Sequence, residues 1–589
     1  MKDFFKYVLA TVVGLIVFGL IMAFFGIMSI VGMVSSGQAT TNVSKNSVLV
    51  LKLNGAMDEQ AGNGLFTQFM GESSENLGLQ ETLSAIKKAK DNDHIKGIYI
   101  ESKAFVGDVA SMQEVRQALA DFKKSGKFIV AYGDTYTQGS YYLASVADKV
   151  WLNPQGMLDW HGLASEPYYV KDLLAKFGVK MQPVRVGKYK SAVEMFTEDK
   201  MSEPNREQTT AMINGLWENI CKEVSASRKV SVDSLNAYAD RLLTFATPQD
   251  LVKCKMVDGL LYADQVKAEV KKMLDLKEDK SISQVNVADM ANVKEDLDGE
   301  EIAVYYAYGD IVSESGATNL YSQGHQIVAS TVCADLEKLM NDDDVKAVVL
   351  RVNSPGGSAY ASEQIWRQVE LLKAKKPVVV SMGGYAASGG YYISCNSNWI
   401  VADPTTITGS IGIFGLFPDF SQLATQKLGV KFDDVHTNKH ANFGTLSRPF
   451  NPEELDILST YIQNGYQLFR KRVADGRKMT IDQVEALAQG HVYLAQDAIK
   501  LKLVDELGGL DKAVAKAAQL AKLKEYHTIG YPAAPDILDQ LLSSAKGGSY
   551  LDDQTRLALG DLYEPFMMII RVREMEPIQA RMPFYLNIH

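Results

Sequence analysis

The chain has 589 residues, with 61 Lys and Arg against 71 Asp and Glu and a net charge of −10. It is too long for one hydrophobic core, so at least two domains are expected. It is also too acidic for nucleic acid to be a main partner, because phosphate binding needs a basic surface. The four cysteines (Cys221, Cys254, Cys333, Cys395) lie far apart without metal-type spacing, and His436 and His440, four residues apart, have nothing nearby to complete a site. No metal and no other cofactor is expected.

From Tyr7 to Val34 no residue is charged. As a helix this run would span about 42 Å, against about 30 Å of bilayer hydrocarbon, so it can cross with some tilt. A cleaved signal peptide would have an apolar core of only about 7–15 residues. Residues 1–36 therefore read as a transmembrane anchor that meets the lipid bilayer through residues 7–34, and residues 37–46 as a polar linker. Lys2 and Lys6 precede the run and the next basic residue is Lys45. That bias puts the N-terminus in the cytoplasm and the rest of the chain on the other side.

Beyond the linker the sequence repeats. "DNDHIKGIYI" at 91–100 resembles "NDDDVKAVVL" at 341–350, and "AYGDTYTQGSYYLASVADKVWLNP" at 131–154 resembles "SMGGYAASGGYYISCNSNWIVADP" at 381–404, both at an offset of 250. "PQDLVKCKMVDGLLYADQVKAEVKKM" at 248–273 mirrors "AQDAIKLKLVDELGGLDKAVAKAAQL" at 495–520. The period is far too long for a solenoid and implies two copies of one domain. They are read as residues 47–274 and 302–530, joined by a charged connector at 275–301 and followed by a tail at 531–589. In each copy short β-branched runs ("GIYI", "FIVAY"; "AVVL", "PVVVSM") alternate with amphipathic segments such as "ASEQIWRQVELLKAKK", apolar at Ile365, Val369 and Leu372. That alternation predicts α/β domains built on mostly parallel sheets.

Functional residues in such sheets sit at strand-to-helix turns. In "GGYAASGGYYISC" a single hydroxyl, Ser388, is surrounded by small residues. The motif alone fits either a tight buried turn or a nucleophile that a substrate backbone must approach closely. The first copy has Gln138 opposite Ser388, and Val106 and Gly107 opposite Gly356 and Gly357, so it keeps the scaffold without the hydroxyl. That contrast favours chemistry. A serine nucleophile needs a base. His436, His440, Lys431 and Lys439 have no persuasive setting, whereas Lys190 in "VGKYKSAVEMF" is peculiar to the copy that lacks the serine and has apolar neighbours Ala192, Val193, Met195 and Phe196.

On the stretches "RVNSPGGSAYASE", "YAASGGYYIS", "TGSIGIFG" and "VGKYKSAVE", the chain resembles the signal peptide peptidase A (protease IV) family in its long form. The resemblance implies tandem crotonase/ClpP-like domains behind an N-terminal transmembrane helix, and a Ser–Lys dyad serine endopeptidase that degrades cleaved signal peptides. It implies Ser388 as nucleophile and Lys190 as general base, oxyanion amides from Gly357 or Gly356 and from Gly389, and Ser410 as the hydroxyl that orients the lysine. It also implies a homotetramer at the bacterial inner membrane, with the catalytic domains on the periplasmic side. Apolar peptides are the expected partners, bound extended by strand addition to a sheet edge, with small or apolar side chains beside the cut. The rival readings are a membrane-tethered scaffold without activity and a crotonase-type acyl-thioester enzyme.

Overall fold

The computed structural model describes residues 42–60, 76–294, 297–314, 325–532 and 578–582, with five single positions between 14 and 22. The expected anchor lies almost wholly outside the described residues. Among those that are described, no helix is long and apolar enough to cross a membrane.

The duplication is written into the strand order. In the first copy Ser283–Asn286, Ser47–Asp58, Ile95–Val106, Phe128–Tyr136, Lys149–Leu158 and Gly259–Leu260 lie side by side, all parallel. The second copy repeats this with Tyr526–Tyr531, Glu300–Tyr308, Val345–Ser354, Val378–Ala387, Trp399–Ala402 and Glu506–Leu507. Parallel strands need crossovers, and the crossing helices cover both faces. The central strands are accordingly apolar on both sides: Val348 and Leu350 pack with Ile365, Val369 and Leu372 of helix Ala359–Lys373. Val349 and Val379 face Ala513 and Ala517 of helix Leu510–Ala521 on the opposite side.

Two segments outside the expected domains carry strands. The stretch 275–301 is not only a connector: Ser283–Asn286 is an edge strand of the first sheet, and Val285 and Met290 lie in the first copy's core. An edge strand buries one side, so only Val285 of its four residues is buried, too few for an apolar run to be visible. The tail 531–589 likewise contains a paired strand, Ile578–Arg581.

That strand belongs to a third, smaller sheet that the sequence did not announce. Its order is Gln326–Val328, Asp310–Val312, Gly356–Ser358, Ile578–Arg581, Phe414–Asp419 and Lys180–Arg185. The last of these comes from the first copy, so this sheet stitches the two together. A second tie is a buried ionic cluster. Arg351 of the second copy donates from Nε and Nη2 to Glu59 of the first, at 2.9 and 3.1 Å, and its Nη2 lies 2.7 Å from Glu114 Oε1.

Candidate active site

Ser388 ends the strand Val378–Ala387 and caps the short helix Gly389–Ser394. Its backbone angles, φ 54° and ψ −111°, are strained for a residue with a side chain. The strand-to-helix reversal imposes them, and Ser388 N–H donating to the Gly409 carbonyl at 2.8 Å holds them. The hydroxyl lies 3.4 Å from Gly412 O, to which it donates.

Lys190 arrives from the other copy. Strand Lys180–Arg185 runs antiparallel to Phe414–Asp419, with Arg185 opposite Phe414. The chain then follows the second copy: Val186 N–H donates to Ile413 O and Tyr189 N–H to Gln489 O, at 3.4 and 3.0 Å. Contact this close requires bare backbone. Gly490 has φ 80°, and a Cβ there would sit 2.7 Å from Lys190 N. Gln208 then braces the turn. Its Nε2 donates to Tyr189 O and Ser191 Oγ, both at 3.1 Å, and its Oε1 accepts from Val492 N–H at 3.2 Å.

The two side chains meet in a closed space. Lys190 Nζ is 2.7 Å from Ser388 Oγ, 3.0 Å from Ser410 Oγ and 3.1 Å from Ser410 O. Both Lys190 and Ser388 are fully buried. Hydroxyls and a carbonyl are the amine's hydrogen-bond partners, and no salt bridge from the described residues offsets its desolvation. Burial therefore pushes the Lys190 pKa well below its ordinary value. A neutral amine so placed can accept the Ser388 proton.

The glycines divide their duties. Gly356 N–H donates to Ser354 Oγ at 3.1 Å, so that amide is already used. A Cβ on Gly356 would stand 2.8 Å from the Gly389 nitrogen, so its contribution is space. Gly389 opens the helix that follows Ser388, and Gly357 lies opposite Ala580 in the small sheet.

The sequence model of Peptidase family S49 matches residues 121–277 and 370–524, once in each copy, and that of Clp protease matches 299–399. Protease 4 of Salmonella typhi is 39% identical over 559 residues, 92% of this chain and 88% of that protein. Protease 4 of Haemophilus influenzae is 37% identical over 85% of this chain and 83% of its own. The chloroplastic serine protease SPPA of Arabidopsis thaliana is 31% identical over 86% and 75%. The chain belongs to peptidase family S49. It is a serine protease, and its two copies have the ClpP-like α/β fold.

In this S49 peptidase the first copy holds Gln138 at the position of Ser388, tied to backbone. Gln138 Oε1 accepts from the His161 and Gly162 amides at 3.0 and 2.8 Å, and its Nε2 donates to Gly162 O at 2.9 Å. A carboxamide carries no nucleophile, and this one serves three backbone groups. The other candidate bases stand apart from Ser388. His436 pairs with Asp434, and Lys439 and His440 with Glu453. Sequence reasoning missed Gln208, Gly490 and the strand Ile578–Arg581. The first two carry no motif of their own: Gln208 ties the Tyr189–Ser191 turn to Val492 of the other copy, and Gly490 leaves room for Lys190.

Proposed function

We propose that this S49 peptidase is a membrane-anchored endopeptidase that degrades cleaved signal peptides and other apolar peptides, with Ser388 as nucleophile and Lys190 as general base. The observation that carries the dyad is a fully buried amine 2.7 Å from a hydroxyl, with no ion-pair partner among the described residues. An ammonium in that pocket would be unstable, so the amine is free to take the Ser388 proton as the oxygen attacks a peptide carbonyl. The Gly357 and Gly389 amides receive the oxyanion. Lys190 then returns the proton to the leaving amine, and the same amine activates water to release the acyl group. Ser410 Oγ, at 3.0 Å from Nζ, fixes the direction of the amine.

The charge-free run 7–34 supports the membrane part of the reading. It would hold the protease at the bacterial inner membrane with its catalytic domains on the periplasmic side, where apolar peptides released into the bilayer are concentrated. Assembly as a homotetramer rests on the family resemblance. The test is digestion of a synthetic signal peptide by the full-length protein in detergent, with products read by mass spectrometry. Ser388→Ala and Lys190→Ala should each lower kcat by at least about 10⁴-fold. Undiminished cleavage by either variant would end this reading.

A further inference from the structure

An ion pair closes the loop that carries Lys190. Arg185 is the last residue of strand Lys180–Arg185, and Glu194 opens the next helical turn, Glu194–Thr197, so the two stand on either side of the lysine. Arg185 Nη1 donates to Glu194 Oε1 at 3.2 Å and lies 3.5 Å from the Lys190 carbonyl oxygen. Glu194 is only 1% exposed. Its carboxylate also takes three bonds from the start of helix Glu203–Arg228. Ser202 Oγ donates to Oε1 at 2.6 Å, and Ser202 N–H and Asn205 Nδ2 donate to Oε2 at 3.2 and 3.1 Å.

The second copy caps the corresponding helix in another way. Helix Pro452–Arg477 begins with a capping box: Asn451 N–H donates to Glu454 Oε2, and Glu454 N–H donates to Asn451 Oδ1, both at 2.9 Å. Such a box satisfies orphan donors within the helix itself. In the first copy the third helical position holds Asn205, and the N-cap N–H of Ser202 goes to Glu194 instead. An acid in either place suits the positive end of the helix dipole. Only an acid on the loop also ties the helix to the chain that bears Lys190.

The second copy's own loop lacks this tie. "FGVK" at 177–180 and "LGVK" at 428–431 set the two loops at an offset of 251. His436 then falls opposite Arg185, Ala441 opposite Lys190 and Thr445 opposite Glu194. The copy without the lysine has neither member of the ion pair. In the first copy helix Glu203–Arg228 grips the loop on both sides of Lys190, through Gln208 to Tyr189 O and through Ser202 and Asn205 to Glu194.

We propose that Arg185 and Glu194 are positioning residues: their ion pair, seated on the start of helix Glu203–Arg228, holds the loop so that the Lys190 amine stays sealed against Ser388. The proposal rests on the Ser388–Lys190 reading. Opening the pair would admit water to Nζ, relieve its desolvation and return the lysine toward its ordinary pKa.

The experiment is hydrolysis of a synthetic signal peptide across the pH range by the full-length protein in detergent, with thermal melts on the same samples. Wild type, Arg185→Met, Glu194→Gln and Lys190→Ala are compared. The Arg185 side chain is 36% exposed, so Arg185→Met leaves a folded protein to measure even where Glu194→Gln does not. In both variants the rising limb of kcat/KM should move to higher pH by about one unit, and kcat near neutrality should fall about tenfold with KM within about twofold of wild type. A merely structural role would lower Tm and leave the limb in place. An unmoved limb in either folded variant, whatever happens to Tm or kcat, overturns the assignment and leaves the proposed function standing. A loss confined to KM overturns it as well. Undiminished cleavage by Lys190→Ala sinks the dyad and this assignment together.

Discussion

At the residue scale the chemistry turns on one proton. Lys190 has lost its water and gained only neutral partners, so its charged form is disfavoured. Below its lowered pKa the amine is charged and cannot act as a base; above it the amine is neutral. Activity should therefore rise with pH through one ionisation and level off before the ordinary lysine value of about 10.4, as read from kcat/KM across the pH range. An acid optimum would contradict a neutral-lysine base. The same shift has a cost in stability. The unfolded chain keeps an ordinary lysine, so folding is penalised increasingly as pH falls below about 10.4 and uniformly once pH is below the folded pKa. Lys190→Met, which removes the desolvated amine, should abolish activity yet stabilise the fold at neutral pH by about 1 kcal/mol or more. The gain in Tm should vanish near pH 11.

At the scale of elements, the dyad depends on how two loops approach. Lys180–Arg185 holds a proline, Pro183, and still forms a strand because it sits at the edge of the small sheet, where a missing donor is tolerated. From there the chain reaches Lys190 past Gly490, whose φ of 80° and contact with the Lys190 backbone exclude a side chain. Gly490→Ala should destabilise the protein by about 1–3 kcal/mol through backbone strain. It should also lower kcat at least about tenfold, because the displaced segment carries the amine; thermal melts and steady-state kinetics on one preparation check both. Most elements were legible locally. The runs "AVVL" and "PVVVSM" are central strands, and Ile365, Val369 and Leu372 are the buried stripe of their helix. Ser283–Asn286 was hidden because an edge strand needs only one apolar residue.

At the scale of the whole molecule, the two copies must stay docked for serine and lysine to meet. Arg351 is buried between Glu59 and Glu114, both from the first copy, and Asn353 Nδ2 also donates to Glu59 Oε1 at 2.8 Å. Removing one member of such a cluster leaves uncompensated charge in the interface. Arg351→Leu should destabilise the protein by about 3–5 kcal/mol. It should also remove peptidase activity, although no atom of Arg351 touches the dyad; denaturant unfolding beside an activity assay would test this. Activity retained at the wild-type level would show that the cluster does not hold the docking.

The sequence by itself determined that there are two copies of one α/β unit, that only one has a serine at the Ser388 position where the other has Gln138, and that only the other has the lysine. Repeats, strand runs and helical stripes are local patterns, readable over a few residues. Only the tertiary structure decided that Lys190 and Ser388, 198 residues apart, lie in hydrogen-bond contact. It alone decided that Lys190 is dry, and that residues 578–581 form a strand of the small sheet. Burial and strand pairing are set by neighbours brought in from distant parts of the chain, and no window of sequence around Lys190 or Ala580 contains those neighbours.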